Sequence, residues 1–171
     1  MQEKAVLCIM KILVLSDSHS GMSFMRYCVD KIKPDQIIHL GDYYDDGLAL
    51  AELYPYIRVH QVPGNGDCFG IGAREPLVMC YDIAGVRVFM THGHKHGVKA
   101  GDGLLTDAAR EMQAQVVLYG HTHVPVCYQA EDGVWVMNPG SCGGYSGSVG
   151  ILEIQDKKVT SCRLLGQEAL D

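Results

Sequence analysis

The chain has 171 residues, of which 47% are hydrophobic and 20% are charged, as in an ordinary globular domain. Its net charge of −6, from 14 basic and 20 acidic residues, argues against a large nucleic-acid-binding surface, because such surfaces are normally basic. No apolar run approaches the roughly 20 residues of a membrane-spanning helix, so no membrane association is expected.

Five short apolar runs, rich in Ile and Val, have the length and composition of β-strands. They cover residues 11–15, 36–40, 57–62, 86–90 and 116–119. Amphipathic helical patterns lie between several of them, at residues 22–32, 48–54 and 104–112. Because strands and helices alternate, we predict parallel strands that are joined by crossover helices.

Apolar runs in other places are separated by short turns and predict hairpins. Runs 125–130 and 134–137 flank a turn-forming Asp-Gly pair, and runs 148–155 and 159–165 flank residues 156–158. A third hairpin joins residues 77–83 to the predicted strand 86–90. Crossover units and hairpins in one chain predict two packed sheets with helices outside.

The cysteines indicate a reducing compartment. There are seven of them, and no two have the C-x-x-C spacing, so we expect reduced thiols rather than disulfides or a zinc knuckle. Residues 1–9 lack the long apolar run of a signal peptide and are interpreted as a short extension or a misassigned start. These two features predict a location in the cytoplasm. The length of the chain predicts a single domain over residues 1–171.

Small and polar residues follow each of the five predicted strands. These clusters are residues 16–19, 41–45, 63–67, 91–94 and 120–123. In parallel sheets, ligands bind outside the carboxyl ends of the strands. The clusters therefore predict one functional site at that edge.

The clusters carry side chains that bind divalent metals. Asp17 and His19 are separated by one residue, as are His121 and His123, so in extended backbone the members of each pair would point the same way. Carboxylate, imidazole and amide ligands suit Mn, Fe or Zn better than Ca or Mg. Taken singly, each motif could equally be a turn or a helix cap. Their occurrence together at corresponding strand ends favours a metal site.

The order and spacing of these clusters resemble the calcineurin-like metallophosphoesterase superfamily. Its blocks Asp-x-His, Gly-Asp, Gly-Asn-x-Asp, His-x-His and Gly-His-x-His all occur here in that order. Residues 91–94 and 138–141 also match the Thr-His-Gly-His and Asn-Pro-Gly-Ser motifs of its small prokaryotic YfcE-like phosphodiesterase branch. The resemblance covers residues 11–165 and implies an α/β fold, a four-layer α/β/β/α sandwich of two mixed sheets flanked by helices.

The resemblance also implies two divalent metal ions, with Mn expected and Fe, Zn or Ni as alternatives. The ligands that it assigns to the first ion are Asp17, His19 and His123. Those that it assigns to the second ion are Asn65, His92 and His121, and Asp42 bridges the two ions. In the family, a hydroxide that bridges the ions attacks phosphorus.

The chain departs from the superfamily at the proton donor. Many members follow Gly-Asn with a histidine that protonates the leaving group, whereas this chain has Gly66 there and then Asp67. General acid catalysis is typically worth about 10²–10⁴ in rate, so esters with good leaving groups should suffer least. Asn65, His94 and Asp67 are the catalytic candidates, although His94 could equally be a bystander and Asp67 has lost the imidazole that it orients in relatives.

Four further residues receive structural interpretations. Asp45 and Asp46 are predicted to cap the helix that follows them. His39 and His60 lie inside predicted strands and are interpreted as packing residues.

The predicted function is hydrolysis of phosphodiesters, with phosphomonoester hydrolysis at the same site as the alternative. A third possibility is a non-catalytic interaction scaffold of the retromer-subunit type, which has this fold with degraded metal ligands. All seven ligand positions here carry metal-binding side chains, which a scaffold would not need. The expected substrate is a small phosphate ester, with nucleotides among the candidates, and the sequence leaves a homo-oligomer open.

Overall fold

The computed structural model describes residues 8–143 and 147–170. Its strands are β1 (Met10–Leu15), β2 (Gln36–His39), β3 (Arg58–Gln61), β4 (Val78–Ile83), β5 (Val86–Thr91), β6 (Val116–Leu118), β7 (Val126–Gln129), β8 (Trp135–Asn138), β9 (Ser148–Gln155) and β10 (Lys158–Gly166). Its α-helices are α1 (Met22–Ile32), α2 (Tyr44–Leu53) and α3 (Gly103–Glu111). The predicted extension, residues 1–9, lies outside the described residues except for its last two.

The strands form two five-stranded mixed sheets. The first has the order β10-β9-β1-β2-β3, in which β1, β2 and β3 are parallel. The second has the order β4-β5-β6-β8-β7, in which β5, β6 and β8 are parallel. The three predicted hairpins are present as the antiparallel pairs β4–β5, β7–β8 and β9–β10.

Alternation of side chains along the strands builds three apolar layers. On β1, Ile12 and Val14 face the second sheet and pack with residues such as Val88. Leu13 and Leu15 point to the other side, into a cluster with α1 and α2. A third cluster packs α3 against the outer face of the second sheet. The four-layer α/β/β/α sandwich is therefore confirmed.

Helix α1 covers the predicted residues, but α2 begins at Tyr44 rather than at residue 48. Its first turn contains Asp45 and Asp46, and neither is the cap, because the capping position is Tyr43 and has no side-chain cap hydrogen bond. The interpretation of the two aspartates as caps is therefore wrong. The N–H groups of Tyr43 and Tyr44 instead donate to the carboxylate of Asp67, from the loop after β3.

This topology brings together the carboxyl ends of parallel strands from both sheets. A direct hydrogen bond connects the carboxyl ends of the two sheets. Nδ1 of His92, after β5, donates to the carbonyl of Leu40, after β2, at 2.8 Å. Within the described residues, no helix is long and apolar enough to cross a bilayer.

His39 lies at the end of β2 and is fully buried, with Nε2 3.2 Å from the Ser18 hydroxyl. Burial lowers the pKa of His39 from 6.5 to about 4, although nearby carboxylates oppose the shift. Because the folded-state pKa is lowered, the unfolded chain takes up this proton first as the pH falls.

The free energy of unfolding of the metal-free protein should therefore fall as the pH drops from about 6.5 to about 4. In His39→Gln, which has no group that titrates at this position, the free energy of unfolding should fall by about 3 kcal/mol less over the same pH range, because one pKa unit corresponds to about 1.4 kcal/mol. Urea denaturation of both proteins between pH 4 and 8 would measure the difference. Parallel curves for wild type and His39→Gln would contradict the assignment.

Candidate metal centre

The structure brings all seven predicted ligand residues to one place, where the carboxyl ends of the two sheets meet. Asp17, Asp42 and Asn65 follow the strands β1, β2 and β3 of the first sheet. His92 and the pair His121 and His123 follow β5 and β6 of the second sheet. The base of the site is buried, with Asp17 and His92 fully enclosed, whereas its rim is exposed.

One group of ligands surrounds Asp17. The ligand atoms of Asp17, His19, Asp42 and His123 all lie within 4.8 Å of one another. Nε2 of His123 is 3.1 Å from Oδ1 of Asp17 and 3.4 Å from Nε2 of His19. Four side chains that carry lone pairs therefore lie close enough together to hold one metal ion.

A second group of ligands surrounds His92. Nε2 of His92 is 3.2 Å from Oδ1 of Asn65 and 3.5 Å from Oδ1 of Asp42. The ring of His121 stands 5.0 Å from that of His92, measured between centroids. The ligand atom of Asp42 lies within 4.8 Å of those of the first group, and its Oδ1 is near Nε2 of His92, so Asp42 is close to both groups, whereas Oδ1 of Asp17 lies 3.9 Å from the same Nε2.

The hydrogen bonds of Asp17 test whether a cation fits. Its Oδ2 accepts from the Ser16 hydroxyl at 2.6 Å and from the backbone N–H of His121 at 3.0 Å. Its Oδ1 is buried and has no hydrogen-bond partner among the described residues. An unpaired buried carboxylate oxygen is costly, and a divalent cation between it and the imidazoles would satisfy it. The mixture of oxygen and nitrogen donors suits first-row divalent metals.

The backbone at the ligands is not extended, so the argument from residues two apart on a strand is wrong. Positive φ angles, which are common only in glycine, occur at five of the predicted ligands: Asp17 (52°), His19 (43°), Asp42 (55°), His121 (69°) and His123 (59°). Such conformations are uncommon outside glycine, although Asp and His adopt them more readily than most residues, and they persist where surrounding contacts hold them. The side chains converge because successive tight turns direct them, not because a strand does.

Several side chains hold these turns in place. Nδ2 of Asn138 donates to the carbonyl of Gly120 at 2.9 Å, and the hydroxyl of Ser141 donates to the carbonyl of Asp17 at 2.7 Å. A Cβ atom on Gly120 would overlap the hydroxyl of Ser16, so only glycine fits there. The Asn-Pro-Gly-Ser motif thus supports the loops that carry Asp17 and His121.

Asp67 and Asp46 also support the loops. The Asp67 carboxylate accepts from the backbone N–H groups of Tyr43, Tyr44 and Gly64, at 2.9, 2.8 and 2.7 Å. Asp46 accepts from the hydroxyl of Ser18 at 2.6 Å, a contact that no local sequence signal indicated. These are contacts of positioning residues, and the catalytic role of Asp67 stays a prediction.

His94 lies beside the second group of ligands. Its ring is 5.5 Å from that of His92 and 6.1 Å from that of His121, and its Nδ1 is buried without a partner among the described residues. Burial, followed by the neighbouring His92, lowers the pKa of His94. At neutral pH the ring is therefore mostly uncharged. A neutral imidazole can donate a hydrogen bond, but it is poorly suited to protonating a leaving group.

The sequence model of the calcineurin-like phosphoesterase superfamily domain matches residues 10–157. The chain belongs to this superfamily. The family recognised from the motifs is therefore confirmed, and its members depend on metal ions. The match also covers all of the predicted metal ligands.

Individual relatives fall into two kinds. A phosphodiesterase of Methanocaldococcus jannaschii is 29% identical in an alignment of 168 positions, gaps included, that covers 87% of this chain and 96% of that protein. The vacuolar protein sorting-associated protein 29 of Schizosaccharomyces pombe is 30% identical in an alignment of 138 positions that covers 78% of this chain and 68% of that protein. The solved structure of a predicted phosphoesterase from Streptococcus pneumoniae has a TM-score of 0.70 at 25% identity, and covers 95% of this chain and 100% of its own.

The contacts of Asp42 predict that it is needed for metal binding. Asp42→Ala removes a carboxylate that both groups of ligands share, so metal affinity should fall by more than about 100-fold, the upper end of the loss for an outer-shell partner. Asp45→Ala is the matched control, because Asp45 is exposed in the first turn of α2 and should leave the metal content unchanged. Elemental analysis and titration calorimetry with Mn²⁺ would measure both. Full metal occupancy in Asp42→Ala would rule out the bridging role.

Proposed function

We propose that this protein hydrolyses phosphodiesters at a centre of two divalent metal ions, with Mn²⁺ as the expected metal. The observation that carries the proposal is the convergence of two ligand groups on the shared carboxylate of Asp42. When bound, such a pair of ions supplies Lewis acidity and lowers the pKa of a coordinated water towards about 7. The proposed substrate is a small phosphate ester, and nucleotides are candidates.

The residues of the chain would orient the ions and the ester. Asp17, His19 and His123 would hold one ion, and Asn65, His92 and His121 the other. The bond from Nδ1 of His92 to the Leu40 carbonyl leaves Nε2 directed at the site. The side chain of Asn65 is exposed, so its amide N–H can donate to a phosphoryl oxygen. His94 is placed to donate a second hydrogen bond.

The preference for diesters rests on the leaving group. Position 66, at which many relatives have a histidine that acts as general acid, is glycine in this chain. The N–H of Gly66 donates to Oδ1 of Asp42 at 2.8 Å. Esters whose departing oxygen is weakly basic need little protonation, whereas alkyl monoesters leave as basic alkoxides. The likeness to the M. jannaschii phosphodiesterase supports the same preference.

Two alternatives stay open for the test. Hydrolysis of phosphomonoesters at the same centre is one. The other is a non-catalytic scaffold, which the likeness to a protein named for vacuolar sorting favours. Retention of all seven ligands argues for hydrolysis instead.

The free thiols in the described part of the chain support our further proposal that the protein works in the cytoplasm.

A screen of metal-stripped protein against several divalent metals and esters tests the function. We expect Mn²⁺ to stimulate hydrolysis of bis(p-nitrophenyl) phosphate and to give weaker hydrolysis of alkyl monoesters. Asp17→Asn, with one ligand weakened, should lose this activity. Metal binding without hydrolysis of any ester would favour the scaffold, and a preference for alkyl monoesters would favour the phosphomonoesterase.

The absence of an acid at position 66 gives a second test. Gly66→His should raise turnover of esters with poor leaving groups more than that of esters with good ones. The backbone of Gly66 is not in the left-handed region, and a Cβ there would lie 3.2 Å from Oδ1 of Asp42, so a side chain needs only a small shift. Turnover of folded, metal-loaded protein across a series of leaving groups is the measurement.

Gly66→Ala is the matched control, because it adds the Cβ without the imidazole. If Gly66→Ala and Gly66→His change the series equally, the effect is steric and not proton donation. If the wild type already hydrolyses poor leaving groups as fast as good ones, another residue supplies the proton.

A further inference from the structure

A second pocket lies directly beside the metal centre, between the start of α2 and the loop of residues 66–72. Its volume is about 320 Å³, and Tyr43, Gly66 and Phe69 are among the residues that line it. Two of these residues also border the metal centre. Gly66 donates to the carboxylate of Asp42, and the ring of Tyr43 stands edge-on to the ring of His19 at 5.4 Å.

Aromatic side chains dominate the open wall of this pocket. Phe69 is 87% exposed and Tyr43 is 46% exposed. Exposed aromatic rings beside a polar site are typical of ligand-binding surfaces. Among the described residues, Phe69 has no ring partner, so its face is available to a ligand.

Contacts on both sides of Phe69, at Asp67 and at Gly72, hold its loop against α2. The Asp67 carboxylate, at the base of the pocket, accepts from the N–H groups of Tyr43 and Tyr44. A Cβ on Gly72 would lie 2.9 Å from Cβ of Tyr44 and 3.1 Å from Cβ of Asp67, so the loop packs closely against α2. A preformed pocket loses less entropy when it binds a ligand.

Glycine at position 66 connects the pocket to the metal centre. Gly66 lines the pocket, and a Cβ on it would lie 3.2 Å from Oδ1 of Asp42, so this position borders both the pocket and the metal centre. The glycine has no side chain that could donate a proton, and it leaves more room for the substrate than a histidine would.

The charge of the pocket restricts what can enter it. The exposed carboxylate of Asp45 lies on its lining. This carboxylate repels a second anionic group, so the part of the ester beyond its phosphate should be neutral or a hydrogen-bond donor.

We propose that this aromatic pocket binds a flat aromatic group of the substrate, an aryl ring or a nucleobase, whose phosphate lies at the metal centre. The proposal rests on the proposed phosphoesterase function and adds the substrate class. Tyr43 and Phe69 supply the stacking surface, and Gly66 supplies the connection.

Binding of product-like monoesters tests the pocket separately from turnover, and an assay for free phosphate after each titration shows whether the ester stayed intact. Titration calorimetry on Mn²⁺-loaded protein would compare inorganic phosphate, ethyl phosphate, phenyl phosphate and adenosine monophosphate. We expect phenyl phosphate to bind about tenfold more tightly than ethyl phosphate, in line with aromatic stacking. In Phe69→Ala this ratio should approach one, while the affinity for ethyl phosphate stays unchanged.

Tyr56→Ala is the matched control. Tyr56 is 99% exposed and precedes β3, at the end opposite the metal centre, so its loss should leave the ratio unchanged. Equal affinities for phenyl and ethyl phosphate in the wild type, or an unchanged ratio in Phe69→Ala, would overturn the aromatic pocket and leave the phosphoesterase function standing. No binding of any phosphate to the metal-loaded protein would overturn both.

The affinity for adenosine monophosphate and one further ligand refine the result. If adenosine monophosphate binds more tightly than phenyl phosphate, and Phe69→Ala abolishes this difference, the natural occupant of the pocket is a nucleobase. If phenyl phosphate binds more tightly, the occupant is an aryl ring. A carboxylate on the ring of phenyl phosphate, in 4-carboxyphenyl phosphate, should weaken binding, and Asp45→Asn should remove that penalty. A penalty that persists in Asp45→Asn would overturn the role of Asp45.

Discussion

The buried carboxylate of Asp17 is the interaction on which the site depends. One of its oxygens accepts from the hydroxyl of Ser16, the residue before it, and from the backbone of His121, which follows a strand of the other sheet. It therefore joins the two sheets at their carboxyl ends. The second oxygen is buried without a hydrogen-bond partner in the described part of the chain and faces the imidazole of His123. An enclosed charge of this kind is tolerated when a cation compensates it, so metal binding and folding are expected to stabilise each other.

Much of the polar sequence around the ligands supports the loops and does not take part in chemistry. The ligand residues adopt strained positive φ angles, and the hydrogen bonds of Asp67, Asn138 and Ser141 hold the turns in which they occur. These supporting residues come from segments far apart in the sequence. A loop that is fixed in this way presents its ligands with little reorganisation when a metal and an ester bind.

The open side of the site has a different character from its base. The base is built of buried aspartate and histidine, whereas the rim beyond Gly66 is built of the exposed rings of Tyr43 and Phe69. Under the two proposals made above, glycine at position 66 would affect both protonation of the leaving group and the space that the substrate can use. Both effects would favour an ester with an aromatic group.

The sequence by itself determined the strands, the boundaries of α1 and the residues that meet at the candidate metal centre, because apolar periodicity and the residue types that follow each strand are local properties. Only the tertiary structure decided where α2 begins, since its first N–H groups are satisfied by Asp67 from a distant loop. For the same reason the capping role of Asp45 and Asp46 was predicted wrongly, and the extended backbone expected at the ligands proved to be a series of left-handed turns. The pocket beside Phe69 was not predicted, because it exists only where two segments that are separate in the sequence pack together.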